Sequence, residues 1–282
     1  MGQLLKKNQT KAVIGKLCVY VVMSAIAATM VIPFLWMLSG SLKTEMSLFA
    51  LPFRLIPENP RWENYVEVWT RVPYSLFYFN SSKIAILVTL GQIFVCSLGA
   101  YALARINFPH RDKVFLLFLT SMMIPNQVTM IPQYQLIRVM GLMNTHAALV
   151  LLRLFNPFGV FLLRQFFLSI PMELSESAHI DGCNEFGIYA NIILPLSKPA
   201  LATLTVFTFM GSWNDFIGPL IYLTSKERYT LQLGIRYFQQ VYGTEYTLVM
   251  ASAAMSLIPV IIIYLFAQRY FIEGVATSGL KG

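Results

Sequence analysis

The sequence predicts an all-helical integral membrane protein with six transmembrane helices, and three observations carry that prediction. Hydrophobic residues make up 56% of the chain and charged residues only 12%, about half the roughly one-quarter charged share of a soluble domain. The apolar residues gather into stretches long enough to cross a bilayer. A spanning helix needs about 20 residues, because lipid offers no partner to unpaired backbone groups. The basic residues behind the formal charge of +8 stand in short clusters beside those stretches. No basic stripe is interleaved with aromatics, so the pattern indicates positive-inside anchoring and not nucleic-acid binding.

The six stretches fall at approximately 14–38, 83–104, 114–136, 146–168, 199–223 and 246–269, as judged by length and hydropathy. They fill residues 1–282 as one membrane domain, with no separate soluble domain. Lys6, Lys7, Lys11 and Lys16 precede the apolar run from Leu17 to Leu38, which is longer than the roughly 7–15 apolar residues of a cleavable signal and is therefore an uncleaved helix. Those lysines, with Arg105, Arg111 and Lys113 between the second and third stretches, place the amino end and that link in the cytoplasm. An even number of spans brings the carboxyl end to the same side, giving a multi-pass protein of the cell membrane with both termini cytoplasmic.

By the same alternation residues 39–83 are external, although they hold Lys43, Arg54, Arg61, Arg71 and Lys83, because long loops translocate largely regardless of charge. Their prolines, with Trp62, Tyr65, Trp69, Tyr74 and Tyr78, fit a folded cap at headgroup level. Residues 224–245 are also external, with Gly234 and Gly243 allowing turns. Cys18 and Cys96 sit in apolar runs and Cys183 in a polar, cytoplasmic one, so no disulfide is expected.

The most informative stretch is 170–198, on the cytoplasmic side. Pro171 opens it and Pro195 closes it. Between them come a short helix with Glu173, Glu176 and Asp181, a close turn at Gly182, and a second amphipathic piece with Phe186, Ile188 and Tyr189. A charged helix-turn-helix cannot cross lipid. It should lie on the membrane surface with its polar tip offered to a partner.

The spacing Glu176-Ser177-Ala178, three residues, Gly182, nine residues, Ile192, one residue, Leu194-Pro195 resembles the EAA loop of ATP-binding cassette (ABC) importer permeases, with Ser177 where the family usually has alanine. The resemblance extends along most of the chain to the smaller, MalG-like permease of the carbohydrate branch. It runs through Asn80-Ser81, Tyr101-Ala-Leu-Ala-Arg105, Ile124-Pro125 with Ile131-Pro132, Arg164-Gln-Phe-Phe167, Trp213-Asn214 and the ending Gly274 to Gly279 and Lys281-Gly282. It implies a type I importer permease fold and a coupling helix seated on an ATPase subunit, with Glu176, Ser177, Ala178, Asp181, Gly182, Ile192, Leu194 and Pro195 as the coupling residues. Glu176 would face an arginine of that subunit, and Gly182 would let the chain turn sharply. The implied partners are a second homologous permease, two ATPase subunits, an extracytoplasmic solute-binding protein and membrane lipid. The implied substrate is a sugar, most simply an oligosaccharide. A non-sugar solute is the alternative, and a secondary transporter a more distant one. No cofactor is expected on this chain, since ATP and magnesium belong to the ATPase subunits.

Trp213, Asn214 and Asp215 interrupt the fifth stretch. Either they line the passage, the indole stacking on a sugar face while Asn and Asp take hydroxyls, or they pack the helix near the external interface. Arg153, seven residues after His146, either snorkels to the external headgroups or meets a carboxylate across the bundle, with Asp215 as a candidate. Pro125, Asn126 and Pro132 remove backbone donors from the third stretch, which predicts a kink beside the passage or a helix ending near Ile131. By resemblance the loop 222–246 reaches into the binding protein; by its residues alone it is a connection.

His110, His146 and His179 are too scattered for a metal site or a catalytic triad. The Gly15-Lys16 pair lacks the rest of a phosphate loop. With no nucleophile and base at matching depth, the chain is expected to be no enzyme and to draw its energy from another subunit.

Overall fold

The computed structural model describes residues 2–52, 54–240 and 243–278, with side chains described for 15–52, 54–239 and 243–270. The resemblance noted at Gly279, Lys281 and Gly282 lies outside the described residues. Among the described residues the regular structure is helical apart from one two-residue antiparallel hairpin, β1 (Gln239–Gln240) with β2 (Gly243–Thr244). In order the helices are α1 (Gly2–Ser41), α2 (Glu45–Leu48), α3 (Glu63–Arg71), α4 (Tyr74–Arg105), α5 (Arg111–Ser121), α6 (Asn126–Val139), α7 (His146–Leu151) and α8 (Pro157–Ser169). There follow α9 (Glu173–Ile180), α10 (Glu185–Ile188), a π-helical turn (Tyr189–Ile193), α11 (Leu194–Leu196), α12 (Lys198–Trp213), α13 (Ile217–Tyr222), α14 (Leu231–Ile235) and α15 (Tyr246–Ser278).

Among the described residues three helices are long and apolar enough to cross a membrane unaided: Gly15–Ser41 of α1, Tyr74–Arg105, and Tyr246–Tyr270 of α15. Among the same residues three pairs bent by more than 40°, α5 with α6, α8 with α9 and α10–α11 with α12, raise the number to as many as six if each pair is one crossing. The second stretch begins at Tyr74, nine residues before the expected 83, because Pro73 precedes a helix whose missing donor costs nothing there,.

Stretches three to five are not single helices as expected. The third is α5 and α6, meeting at 98° across residues 122–125. It turns at Pro125 and does not end near Ile131, since α6 continues through Pro132 to Val139. The fourth is α7 and α8, parted at 152–156, where the Asn156 carboxamide accepts from the Phe158 amide at 2.9 Å and Pro157 starts a new helix. The fifth is α12 and α13, parted at 214–216, where Asp215 Oδ1 accepts from the Gly218 amide at 3.2 Å. Short polar side chains that bond their own backbone compete with the helix ladder and stop it.

The chain forms two compact units. One comprises Met1–Val72 with Tyr237–Met255. In it, Asn64 is buried and donates to the carbonyls of Ser41 and Lys43, both at 2.8 Å. Glu45 accepts from the amide and hydroxyl of Thr247, each at 2.7 Å. Arg71 is held between Glu67, at 2.9 Å, and Glu245; the hydrogen bond to Glu245 raises the guanidinium above its usual pKa.

The other unit comprises Pro73–Arg236 with Ser256–Gly282. Here α4 is the central helix, with α8 and α12 packed most extensively along it and α5, α7 and α14 around it. Cys96, Ala100, Leu163, Phe167, Ile193 and Leu204 are fully or nearly fully buried where α4, α8, the π-helical turn and α12 meet. Gly234 does not serve a turn as expected. It lies within α14, where a side chain would collide with the ring of Phe77 on α4.

Candidate functional site: the α9–α11 hairpin

The residues between α8 and α12 fold into a small helical hairpin set across the ends of the bundle. The axis of α9 is turned 77° from α8, and the α10–α11 segment is turned 80° from α12. Both pieces leave the line of the helix they adjoin, as expected of a helix too charged for lipid,.

The turn between α9 and α10 is built by backbone bonds. Gly182 adopts φ +81°. Its amide donates to His179 at 3.0 Å and the Cys183 amide donates to Ala178 at 2.9 Å, the paired bonds of a Schellman helix ending with glycine in the left-handed position. The Asn184 side chain then caps α10, accepting from the Gly187 amide at 2.8 Å. Across the turn His179 Nε2 and Glu185 Oε1 stand 3.2 Å apart.

Only Ser175 and Ala178 of α9 face inward, Ala178 joining the core cluster. Glu176 and Ser177 are exposed, the Ser177 hydroxyl donating at 3.2 Å to Leu174 of its own helix. Asp181 caps the helix end and is exposed. Ile192, in the π-helical turn, and Leu194 are half-buried against the core, while Pro195 is exposed. A groove of about 400 Å³ runs between the two arms of the hairpin. It is lined by Leu174, Ser177, Ala178 and Asp181 on one side and by Asn191, Ile192, Pro195 and Leu196 on the other. Of the eight residues expected to couple, Ser177, Ala178, Asp181, Ile192 and Pro195 thus share one concave surface, with Glu176 exposed beside it. The apolar side chains of Ile180 and Phe186 project outward at 87% and 64% exposure, so the hairpin offers an acidic, partly greasy surface suited to a protein partner.

Three residues of α4, absent from the expected site, hold this hairpin. Ser97 shares a 2.7 Å hydrogen bond with the Tyr189 hydroxyl. Tyr101 donates to Glu185 at 2.6 Å, and its ring meets Tyr189 edge-on at 5.4 Å. Arg105 is buried and donates to the carbonyls of Phe167 and Ile170, both at 2.6 Å, capping the end of α8,. Arg164 of α8 ties back to α4 through the Leu103 carbonyl at 3.1 Å, and to Asp112 at 2.9 Å, with its guanidinium 3.9 Å from the centre of the Phe115 ring. Tyr101 and Arg164 were visible in the sequence only as family habits, and Arg105 besides that only as a basic residue of the cytoplasmic link. The signal that would have singled out the α4 residues is their spacing of four, which puts Ser97, Tyr101 and Arg105 on one face.

The other expected residues lie elsewhere. Trp213 and Asn214 sit at the opposite end of α12. Trp213 is 1% exposed, stacks on Phe209 at 5.7 Å, meets Tyr78 edge-on at 5.3 Å and donates to the Ser256 carbonyl at 3.0 Å. Its faces are thus covered in this conformation, and it packs the helix instead of presenting an indole to a sugar. Asn214 accepts from Gln232 at 3.4 Å. Asp215 pairs with Arg153 at 2.9 Å, and Arg153 also donates to the Gly211 carbonyl at 2.8 Å. Of the two roles open to Arg153, the structure selects the partner across the bundle. Asn126 is exposed at the start of α6, directly after the 98° bend.

Comparison with known proteins accords with this geometry. Residues 12–277 match the family described as binding-protein-dependent transport system inner membrane component. The arabinooligosaccharides transport system permease protein AraQ of Halalkalibacterium halodurans is 35% identical over 91% of this chain and 93% of its own length. The galactooligosaccharides transport system permease protein GanQ of Bacillus subtilis is 33% identical over 99% of this chain and all of its own. The crystal structure of a bacterial ABC transporter involved in the import of the acidic polysaccharide alginate contains a chain that superposes with a TM-score of 0.82. That chain is 25% identical, and the match covers 92% of this chain and 96% of its own length. The chain therefore belongs to the binding-protein-dependent transport system inner membrane component family, and is a multi-pass permease subunit of an ABC importer and not an enzyme.

Proposed function

We propose that this permease carries a saccharide, most simply an oligosaccharide, which an extracytoplasmic binding protein delivers to a pathway enclosed with a second, homologous permease. The hairpin α9–α11 faces the cytoplasm and seats on one of two ATPase subunits. ATP and magnesium stay with those subunits. Glu176 offers a carboxylate to a basic side chain of the motor, and charge-assisted hydrogen bonds of this kind are about twice as strong as neutral ones. Closure of the motor pair draws the hairpins together, and the helices joined to them tilt, exchanging inward-open for outward-open access. Asn214, Asp215 and Asn126 mark the breaks in the spans, where freed backbone and polar side chains require a cavity or protein neighbours. They are the residues of this chain best suited to meet sugar hydroxyls.

The observation that carries this reading is the folded hairpin itself, with the exposed motif residues gathered at its groove and its turn fixed by Gly182. The saccharide class rests on the relatives named for arabino- and galacto-oligosaccharides. The test is uptake of labelled arabinotriose and galactotriose by cells expressing the chain with its neighbouring transport genes, alongside co-purification of the ATPase. Glu176→Ala should lower uptake about tenfold or more, the loss of roughly 1.5–3 kcal/mol expected for a charged hydrogen bond; Gly182→Val, which puts a branched side chain at φ +81°, should lower uptake by distorting the turn, and both should weaken ATPase retention. Full uptake and retention in both variants would remove the hairpin from the coupling path. Uptake of neither sugar by the wild type would remove those two substrates.

A further inference from the structure

The hairpin is joined directly to α8 and α12, yet the side chains that grip it come from α4. Ser97, Tyr101 and Arg105 are spaced four residues apart and so form one stripe, about 12 Å long at 1.5 Å per residue. Each contacts a different part of the hairpin or its leading flank. Arg105 holds the end of α8 through Phe167 and Ile170 and touches Met172 Sδ at 3.1 Å. Tyr101 holds Glu185 at the start of α10, and Ser97 holds Tyr189 in the π-helical turn. Glu185 also faces His179 at the end of α9, so the Tyr101 hydroxyl is two contacts away from the exposed arm. The Schellman turn at Gly182 fixes the angle between α9 and α10, leaving the hairpin little freedom to flex internally.

We propose that Tyr101 and Arg105 are positioning residues that make the hairpin and α4 one rigid body, so that a displacement of the hairpin is delivered to the central helix. This rests on the coupling role of the hairpin proposed above. Tyr101 is the discriminating residue, because its hydroxyl makes one strong bond, to a carboxylate, while its ring packs independently against Tyr189. Arg105 also caps α8, so its loss disturbs folding as well as transmission.

The test uses the full complex with its ATPase, second permease and binding protein, reconstituted in nanodiscs. Spin labels are placed on the exposed native Cys183 and on a cysteine replacing Phe79, which is 63% exposed on α4, with Cys18 and Cys96 changed to serine. The distance between the labels is measured without nucleotide and with ATP plus orthovanadate. In the wild type it should stay within about 1 Å, since the two sites travel together. In Tyr101→Phe and in Glu185→Ala it should move by about 2 Å or more, the scale of helix shifts in switching proteins. Glu185→Gln keeps an acceptor and should behave as wild type. A wild-type distance that changes as much as in the variants overturns the proposal. So do Tyr101→Phe and Glu185→Ala distances as constant as the wild type's. A wild-type complex without vanadate-sensitive hydrolysis sinks the coupling role of the hairpin, and this proposal with it.

Discussion

At the scale of single residues, two positions carry costs that backbone geometry and charge make calculable. Gly182 sits at φ +81°, where any side chain strains the backbone by about 1–2 kcal/mol. Gly182→Ala should therefore loosen the end of α9, seen as faster amide exchange at Gly182 and Cys183 with the rest of the bundle unchanged. Unchanged exchange there would show that the turn bears no such strain. The Arg153–Asp215 pair is the second case. Its carboxylate is only 13% exposed and its guanidinium 36%, between an exposed and a buried ion pair. Arg153→Ala should lower stability by about 1–3 kcal/mol by leaving Asp215 without its cation. The double change with Asp215→Ala should cost less than the sum of the single ones in a thermal melt, and strict additivity would mean that the two do not interact.

At the scale of elements, α14 packs on α4 only because Gly234 has no side chain to meet Phe77. Gly234→Ala should destabilise that unit by about 1–3 kcal/mol through overpacking, and Phe77→Leu in the same chain should restore part of it. A melting temperature untouched by Gly234→Ala would mean that α14 shifts freely. The same scale explains why the spans were harder to foresee than their number. Asn156 with Pro157, and Asn214 with Asp215, sit inside apolar runs that length alone assigns to continuous helices. A single short polar side chain bonding its own backbone ends such a run, and whether it does so depends on neighbours such as Arg153 that satisfy what the break exposes.

At the scale of the whole molecule, the importer function predicts a sidedness that two native cysteines can test. Cys183 lies in the exposed hairpin and Cys18 in the apolar part of α1. A membrane-impermeant maleimide should label Cys183 in inverted vesicles and not in sealed right-side-out ones, while Cys18, surrounded by lipid, should resist from both sides. Labelling of Cys183 from the external side would reverse the topology. None of the apolar window of α1 is buried among the described residues, so that surface is left for lipid or another subunit to cover.

The sequence by itself determined the class of protein, the number of apolar stretches and the place of the hairpin. Hydropathy and the spacing from Glu176 to Pro195 are local properties, written in residues close together along the chain. Only the tertiary structure decided that Trp213 is packed away, that Arg153 meets Asp215, and that the hairpin is held by α4. The Arg153–Asp215 pair and the α4 contacts join residues 60 or more positions apart along the chain, and the Trp213 hydrogen bond spans 43; no spacing records which helices will pack side by side. Four-residue periodicity told that Ser97, Tyr101 and Arg105 share a face; folding alone chose what that face would hold, because side-chain packing selects partners by shape and by the need to satisfy every buried polar group.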